Sequence, residues 1–231
     1  MMRVIVPLAG PDFVLANGKV KAVLDLDGEP LLKKALESRP WAGSVDPAKY
    51  VFVMLDRPET RRFAQSELAD WYRQSQVVFL SQPTRGAAFS ALAGVSSYTN
   101  IDEPFVIDLA DILYSSSLAP HKVFADSPDC GGIALTFHSD APEYSYLRCD
   151  ADGRFVEAAE KQVISSQASA GTYIFANATV FLRAVAHAIE NEATQARGGL
   201  FYVCPLFNGV RAQGRNVSLS PVTEVVDIKL R

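Results

Sequence analysis

Apolar runs alternate with segments of helical periodicity along the first half of the chain. Val51, Phe52 and Val53 form the continuous apolar run of a strand that is buried on both faces. Similar strands are predicted at Val4–Leu8, Tyr50–Leu55, Gln76–Leu80 and Phe105–Asp108. Helices are predicted between them, at about Pro30–Ser38, after a capping Asp56, and at about Ala87–Ser97. This alternation predicts a parallel sheet covered by helices.

The pattern changes after Cys130, where predicted strands follow one another closely. They lie at Gly131–His138, Ser145–Cys149, Arg154–Ala158, Asn216–Leu219 and Thr223–Ile228, with a hairpin turn at Asp150–Gly153. Asn177 is placed to cap a long helix. The apolar face of that helix is expected to carry Val180, Phe181, Ala184, Val185, Ala188 and Ile189. The sheet is therefore expected to be mixed in its second half.

Length and charge narrow the class of protein. A chain of 231 residues fits one domain with a sizeable core. Its net charge of −4 argues against nucleic acid or an anionic membrane as a partner, since both are bound by clustered Lys and Arg. The apolar run Val4–Val6 is too short for a signal peptide or a membrane span. Cys130, Cys149 and Cys204 lack metal-ligand spacing, so we expect reduced thiols in a cytoplasmic protein.

A candidate phosphate-binding loop follows the first predicted strand. It reads Leu8-Ala9-Gly10-Pro11-Asp12-Phe13 and stands at the carboxyl end of a strand, where parallel sheets bind ligands. Backbone cradles for phosphate usually need several glycines, and this loop is poor in them. Lys19 and Lys21 follow; either can neutralise phosphate charge or simply be solvated.

Two carboxylates, Asp108 and Asp111, close the strand predicted at Phe105–Asp108. Asp111 suits magnesium, because hard cations take carboxylate oxygens together with substrate phosphates. The alternative is that Asp111 caps a following helix.

Taken in order, these motifs resemble the sugar-phosphate nucleotidyltransferases, the family that includes the glucose-1-phosphate thymidylyltransferases. The resemblance begins at Val6–Gly10 and continues with Lys21 shortly before Asp27-Gly28-Glu29-Pro30. Gln82 and Gly86 resemble the base-contacting glutamine and glycine of the family, and Asp111 its metal-binding aspartate. Glu160-Lys161 and Gly171-Thr172-Tyr173 resemble its sugar site, and Asp227 falls near its second metal aspartate.

The resemblance implies a single Rossmann-like α/β domain over residues 1–231. This is the three-layer sandwich of nucleotide-diphospho-sugar transferases (GT-A type), with a mixed, mostly parallel central sheet. A nucleotide-binding half is expected over about 1–125 and an acceptor-binding half over about 126–231. The implied reaction joins a nucleoside monophosphate from a nucleoside triphosphate to a sugar-1-phosphate or similar acceptor and releases pyrophosphate.

The resemblance also implies a set of site residues. Lys21 and Asp111 would be catalytic, and Asp111 and Asp227 would hold Mg²⁺. Contacts to the nucleotide would come from Leu8, Ala9, Gly10, Gln82 and Gly86. Contacts to the sugar phosphate would come from Glu160, Lys161, Gly171 and Tyr173.

The first loop departs from the family pattern. The family usually continues Gly-x-Gly-x-Arg after the first strand, whereas Gly10 is followed here by Pro11, Asp12 and Phe13. Two other functions therefore stay open. One is a catalytically inactive homologue that binds a nucleotide or sugar phosphate; the other is a nucleotide-sugar-dependent glycosyltransferase with Asp108 and Asp111 as its metal ligands. Monomer and homodimer are both compatible with the sequence.

Overall fold

The computed structural model describes residues 2–98 and 100–228. The strands in chain order are β1 (Arg3–Pro7), β2 (Asp25–Leu26), β3 (Glu29–Pro30), β4 (Tyr50–Leu55), β5 (Gln76–Leu80), β6 (Phe105–Asp108), β7 (Ile112–Ser115), β8 (Cys130–His138), β9 (Ser145–Cys149), β10 (Phe155–Glu160), β11 (Gln167–Phe175), β12 (Asn216–Pro221) and β13 (Thr223–Asp227). The helices are α1 (Leu31–Glu37), α2 (Pro58–Gln65), α3 (Glu67–Trp71), α4 (Ala87–Val95), α5 (Pro120–Asp126), α6 (Ala178–Glu190), α7 (Glu192–Gln195) and α8 (Leu206–Ala212). Short 3-10 helices lie at Lys21–Val23 and Pro47–Lys49.

The central sheet has nine strands, and its first half is parallel. β6, β1, β4 and β5 lie side by side in that order and run in one direction. β11 runs antiparallel to β6, β8 runs antiparallel to β11, and β12 runs parallel to β8. The β9–β10 hairpin joins the sheet at the start of β11. The predicted α/β class with a mixed sheet is confirmed.

Both faces of the parallel strands are buried, as their continuous apolar runs predict. One core cluster joins Val4, Val6 and Phe52 to α1, α2 and α3. A second cluster joins Ile5 and Val53 to α4, α6 and α8. Since consecutive strand residues point to opposite faces, β1 and β4 contribute to both clusters. The sheet and the helices on each of its two faces therefore form three layers.

Several elements differ from the predictions. The helix expected after Asp56 is two helices, α2 and α3, and Arg57 rather than Asp56 occupies the N-cap position. Asp56 instead forms an exposed ion pair with Arg61. Asn177 caps α6 as predicted, accepting a hydrogen bond from the Val180 amide at 2.9 Å. Ile189, expected on the buried face of α6, is exposed.

One edge of the sheet gathers the loops of interest. The parallel strands β1, β4, β5 and β6 end there at Pro7, Leu55, Leu80 and Asp108. We call this edge, with the loops that follow these four strands, the carboxyl edge. Among the residues that the structure describes, no helix combines the length and apolarity needed to cross a membrane.

Candidate functional site

The loop that follows β1 folds into a compact hairpin. Val14 and Val20 form an isolated β-bridge, and the Leu15 amide donates to the Lys19 carbonyl at 2.8 Å. Phe13 is buried and packs edge-on against Phe63 of α2, with ring centroids 6.1 Å apart. A buried aromatic ring, rather than an arginine, therefore anchors the loop after Gly10.

At the start of this loop, the Leu8 amide already donates to the Val53 carbonyl at 2.7 Å. A phosphate bound here would therefore have to be held by the amides that follow, beginning with Ala9 and Gly10. Pro11 supplies no amide hydrogen, which limits the size of such a cradle.

Lys21 stands directly behind the loop. Its backbone amide donates to the Phe13 carbonyl at 2.7 Å, and its Nζ lies 3.9 Å from Oδ2 of Asp12. The Asp12 side chain is 75% exposed, so this ion pair is screened by water and weak. A phosphate group would compete with Asp12 for the Lys21 ammonium.

Asp108 belongs to the core rather than to the site. Its carboxylate accepts hydrogen bonds from Arg39 Nε at 2.6 Å and from Arg39 Nη2 at 2.9 Å, and both residues are buried. Its Oδ1 also accepts a bond from the Ala110 amide at 2.9 Å. Both oxygens are thus committed, which argues against a metal held jointly by Asp108 and Asp111.

Asp111 owes its position to the backbone on both sides of it. Ala110 has the left-handed φ of 53°, and the element that follows is strand β7, so Asp111 caps no helix. Gly171 lies beside it in an irregularity of β11, with φ of 73°. A Cβ at Gly171 would lie 2.6 Å from Oδ1 of Asp111. The missing side chain of Gly171 therefore leaves the space that the carboxylate occupies.

Asp227 lies next to Asp111 because β7 and β13 form an antiparallel ribbon. Asp227 pairs with Ile112, and the Ile228 amide donates to the Asp111 carbonyl at 3.0 Å. The Tyr144 hydroxyl donates to Oδ2 of Asp227 at 2.8 Å. Burial, and after it this bond to a carboxylate, raises the pKa of Tyr144. The hydroxyl therefore keeps its proton for the bond at neutral pH.

Glu160 ends β10 close to the same point. Ser145, the residue after Tyr144, donates its hydroxyl hydrogen to Oε2 of Glu160. Arg197 holds the Glu160 carbonyl through a bond of 2.8 Å. Lys161 follows in a left-handed conformation with φ of 50°, where the strand ends. Two consecutive residues, Tyr144 and Ser145, thus contact the carboxylates of Asp227 and Glu160.

Tyr173, predicted as a substrate contact, is only 2% exposed. Its hydroxyl accepts a bond of 2.8 Å from Ser169, and burial raises its pKa well above the usual range. Since a buried ring cannot touch a ligand at the surface, we correct its role to packing beneath the site. Gly171 likewise acts through the room it leaves for Asp111.

Gly86 has a packing role that the sequence did not reveal. Its φ is 102°, and a Cβ there would lie 2.3 Å from the Phe201 carbonyl oxygen. The Phe201 amide donates to the Arg85 carbonyl at 2.8 Å, and the Ala88 amide donates to the Phe201 carbonyl at 3.1 Å. Glycine is therefore required here by the neighbouring chain segment, whether or not a base binds. Gln82 is exposed at the carboxyl edge.

Asn208 supports β10, a role that its sequence position did not show. Its Oδ1 accepts a bond from the Ala158 amide at 2.8 Å, and its Nδ2 donates to the Ala158 carbonyl at 2.9 Å. Nδ2 also donates to Oε1 of Gln195 at 2.9 Å. The side chain thus replaces one step of a β-ladder. A polar cavity of about 330 Å³, lined in part by Glu160, Arg197 and Asn208, lies alongside.

The residue types at Asp111 and Asp227 fit a magnesium ion. Carboxylate oxygens on adjacent strands are the hard ligands that Mg²⁺ takes, with water and substrate phosphates completing its shell. The space left by Gly171 accommodates one of these carboxylates. Within residues 2–98 and 100–228, no cluster of three or more His, Cys, Asp or Glu side chains is arranged to hold a metal.

No protein-family model and no curated protein matches the sequence. Solved structures do match it. The nucleoside-diphosphate-sugar pyrophosphorylase from Vibrio cholerae RC9 has a TM-score of 0.82 at 18% identity, over 99% of this chain and 96% of that one. This chain has the same fold.

Two further structures extend the likeness. A candidate glucose-1-phosphate thymidylyltransferase from Bacillus anthracis has a TM-score of 0.72 at 17% identity, over 98% of this chain and 89% of that one. The inositol-1-phosphate CTP transferase from T. maritima has a TM-score of 0.68 at 16% identity, over 98% and 87%. At these identities the likeness establishes the fold, and the predicted α/β sandwich with a mixed, mostly parallel central sheet is confirmed.

Proposed function

We propose that this protein is a nucleotidyltransferase. It would join a nucleoside monophosphate, taken from a nucleoside triphosphate, to a sugar-1-phosphate or similar phosphorylated acceptor and release pyrophosphate. One observation carries the proposal: Asp111 adjoins Asp227 on the β7–β13 ribbon, and Tyr144 and Ser145 link Asp227 to Glu160. The three proteins that share this fold are named for nucleotide and sugar or inositol phosphate chemistry, which supports the proposal.

The proposed reaction is a displacement at phosphorus. An acceptor phosphate oxygen forms a bond to the α-phosphorus, and the bond from that phosphorus to pyrophosphate breaks. Lys21 would balance the negative charge that grows on the α-phosphoryl oxygens. Asp111 and Asp227 would hold Mg²⁺, which when bound neutralises phosphate oxygens.

The acceptor would be oriented by the end of β10. Glu160 would accept hydrogen bonds from sugar hydroxyls, and the Lys161 ammonium would pair with the acceptor phosphate. The nucleotide would lie across Ala9, Gly10, Gln82 and Gly86, since these positions share the carboxyl edge. We propose the cytoplasm as the location of this reaction.

The test is a pyrophosphate-release assay with magnesium, in which common nucleoside triphosphates are combined with a panel of sugar-1-phosphates and other phosphorylated acceptors. Lys21→Ala and Asp111→Asn should each lower kcat by about 100-fold or more, because each removes charge stabilisation from the transition state. Lys19→Ala and Asp126→Asn, which alter exposed residues of the same types, should leave turnover unchanged.

Wild-type turnover in the Lys21 or Asp111 variant would refute the mechanism. Nucleotide binding without turnover in the unmodified protein would favour the inactive homologue.

Glu160 offers a separate test of the acceptor side. Glu160→Gln should raise the KM for the acceptor about tenfold, because a charge-assisted hydrogen bond is lost, and should leave the nucleotide Kd unchanged. Glu157→Gln is the matched control, since Glu157 lies on the same strand and pairs with Arg148 at the surface. Loss of nucleotide binding in Glu160→Gln would show that β10 does not belong to the acceptor side.

A further inference from the structure

A second cavity, of about 440 Å³, lies away from the carboxyl edge. It opens to solvent beside Tyr50, the first residue of β4, and is bounded by the end of α1, the loop 42–47 and the end of α3. Aromatic and acidic side chains line it, among them Glu37, Asp46, Tyr50, Trp71 and Tyr72. None of the residues assigned above to nucleotide or acceptor binding lines this cavity.

Two tyrosine hydroxyls on its wall lack a protein partner. Tyr50 is 2% exposed and Tyr72 is 7% exposed, and their ring centroids lie 4.7 Å apart. Within the described part of the chain, neither hydroxyl forms a hydrogen bond. Neither hydroxyl is among the sealed, unpaired polar atoms of the described residues. Since both tyrosines line the cavity, their hydroxyls are open to a molecule inside it.

The wall of the cavity is acidic. Glu37 and Asp46 line it, and the described lining residues include no Lys or Arg. Lys33 reaches Glu37 only at 3.8 Å, through an exposed contact one helical turn away. The guanidinium of Arg39 also lies near, but its charge is matched by the buried Asp108. Burial chiefly, with smaller contributions from the carboxylates of Asp108 and Glu37, raises the pKa of both Tyr50 and Tyr72, so both phenols stay neutral and can accept hydrogen bonds.

We propose that this cavity binds a small primary amine in its ammonium form. A primary ammonium has three N–H donors, and the hydroxyl oxygens of Tyr50 and Tyr72 with the Glu37 carboxylate supply three acceptors. Aromatic rings, including that of Trp71, favour a cation against their faces. Asp46 adds a second negative charge at the rim. The cavity volume is at the low end for ligand sites, which suits a small molecule.

The test uses the purified full-length protein and ethanolamine as the probe. Ethylene glycol serves as the neutral counterpart, and tetramethylammonium serves as a cation without N–H donors. Titration calorimetry should give a Kd for ethanolamine at least about tenfold lower than for either control, because charge-assisted hydrogen bonds are available only to it. Undetectable ethanolamine binding, or equal binding of either control, would overturn the proposal.

Variants then locate the bound amine. Tyr72→Phe and Glu37→Gln should each weaken ethanolamine binding about tenfold. Tyr98→Phe is the matched control, since Tyr98 packs on the other core cluster and its hydroxyl, sealed from the cavity, forms no bond among the described residues. Glu37 is half-exposed, so Glu37→Gln keeps the fold even if Tyr72→Phe does not. Unchanged affinity in Glu37→Gln would refute the site, whatever the outcome of the activity assays.

Discussion

At the scale of single residues, the absence of a side chain at Gly171 leaves the space that the Asp111 carboxylate occupies. An alanine there would adopt an unfavourable left-handed φ and place its Cβ 2.6 Å from Oδ1 of Asp111. Gly171→Ala should lower the free energy of unfolding by about 2 kcal/mol. It should also raise the magnesium concentration needed for half-maximal pyrophosphate release, because the carboxylate is displaced. Denaturant unfolding and a magnesium titration check both effects.

The matched control for this prediction is Gly153→Ala. Gly153 also has a left-handed φ, of 77°, but a Cβ there meets open space. The Gly153→Ala variant therefore measures the cost of a left-handed alanine in unfolding free energy without the clash against Asp111. If both variants lost the same stability and kept the same magnesium dependence, the space beside Asp111 would have no role.

The sequence could locate the acidic residues but could not separate their roles. Asp108 and Asp111 stand three positions apart at the end of one strand, and either could face a metal. What separates them is Arg39, which lies 69 positions from Asp108 and reaches it only after folding. Tyr173 was misjudged for a similar reason, because a tyrosine in a motif does not reveal whether its ring is buried. The motif picked out Gly86 as a candidate site residue, whereas its close contact with the Phe201 backbone could be seen only in the structure.

At the scale of elements, β10 is an edge strand that a side chain of α8 completes. Asn208→Ala would leave the amide and carbonyl of Ala158 without these partners, which should lower the free energy of unfolding by about 2 kcal/mol. Because Glu160 ends the same strand, the acceptor KM should rise as well. Asn208→Asp keeps the acceptor for the Ala158 amide but turns a carboxylate oxygen toward the Ala158 carbonyl, so it should lose at least as much stability as Asn208→Ala in the same unfolding experiments. Lost stability with an unchanged KM would limit Asn208 to a structural role.

Elements were predicted well where apolar residues run continuously and poorly elsewhere. β1, β4, β5 and β6 were found because each is an apolar run. β11 was missed although it is central, because Gln167–Gly171 carries no β-branched residue and its pairing is interrupted between Ser169 and Tyr173. The break between α2 and α3 at Ser66 was also hidden, since helical spacing continues from Phe63 to Tyr72 across it.

At the scale of the whole molecule, the buried pair of Arg39 and Asp108 joins the segment that follows α1 to the centre of the sheet. Arg39→Met would leave a buried carboxylate without its counter-charge and should lower the free energy of unfolding by about 3 kcal/mol. Adding Asp108→Asn should recover part of the loss. Arg61→Met, which breaks the exposed pair with Asp56, should have little effect in the same urea titrations. Equal losses from Arg39→Met and Arg61→Met would show that burial of the pair does not matter.

The overall fold was accessible from sequence because it depends on which positions are buried more than on which residues fill them. Structures that are 16–18% identical to this chain have the same fold over nearly all of it. The predicted division near residue 125 remains a proposal. β11 from the second half pairs directly with β6 from the first, so the two halves share one sheet.

The hairpin after β1 has one further consequence for binding. Phe13 and the bridge between Val14 and Val20 already fix this loop in the protein described here. A loop that must become ordered around phosphate loses conformational entropy when the ligand arrives, which weakens affinity. This loop would lose little, since its ordering belongs to the folding of the chain. The strength of nucleotide binding there would then be set mainly by ion exchange at Lys21, where a triphosphate replaces Asp12, and so by ionic strength.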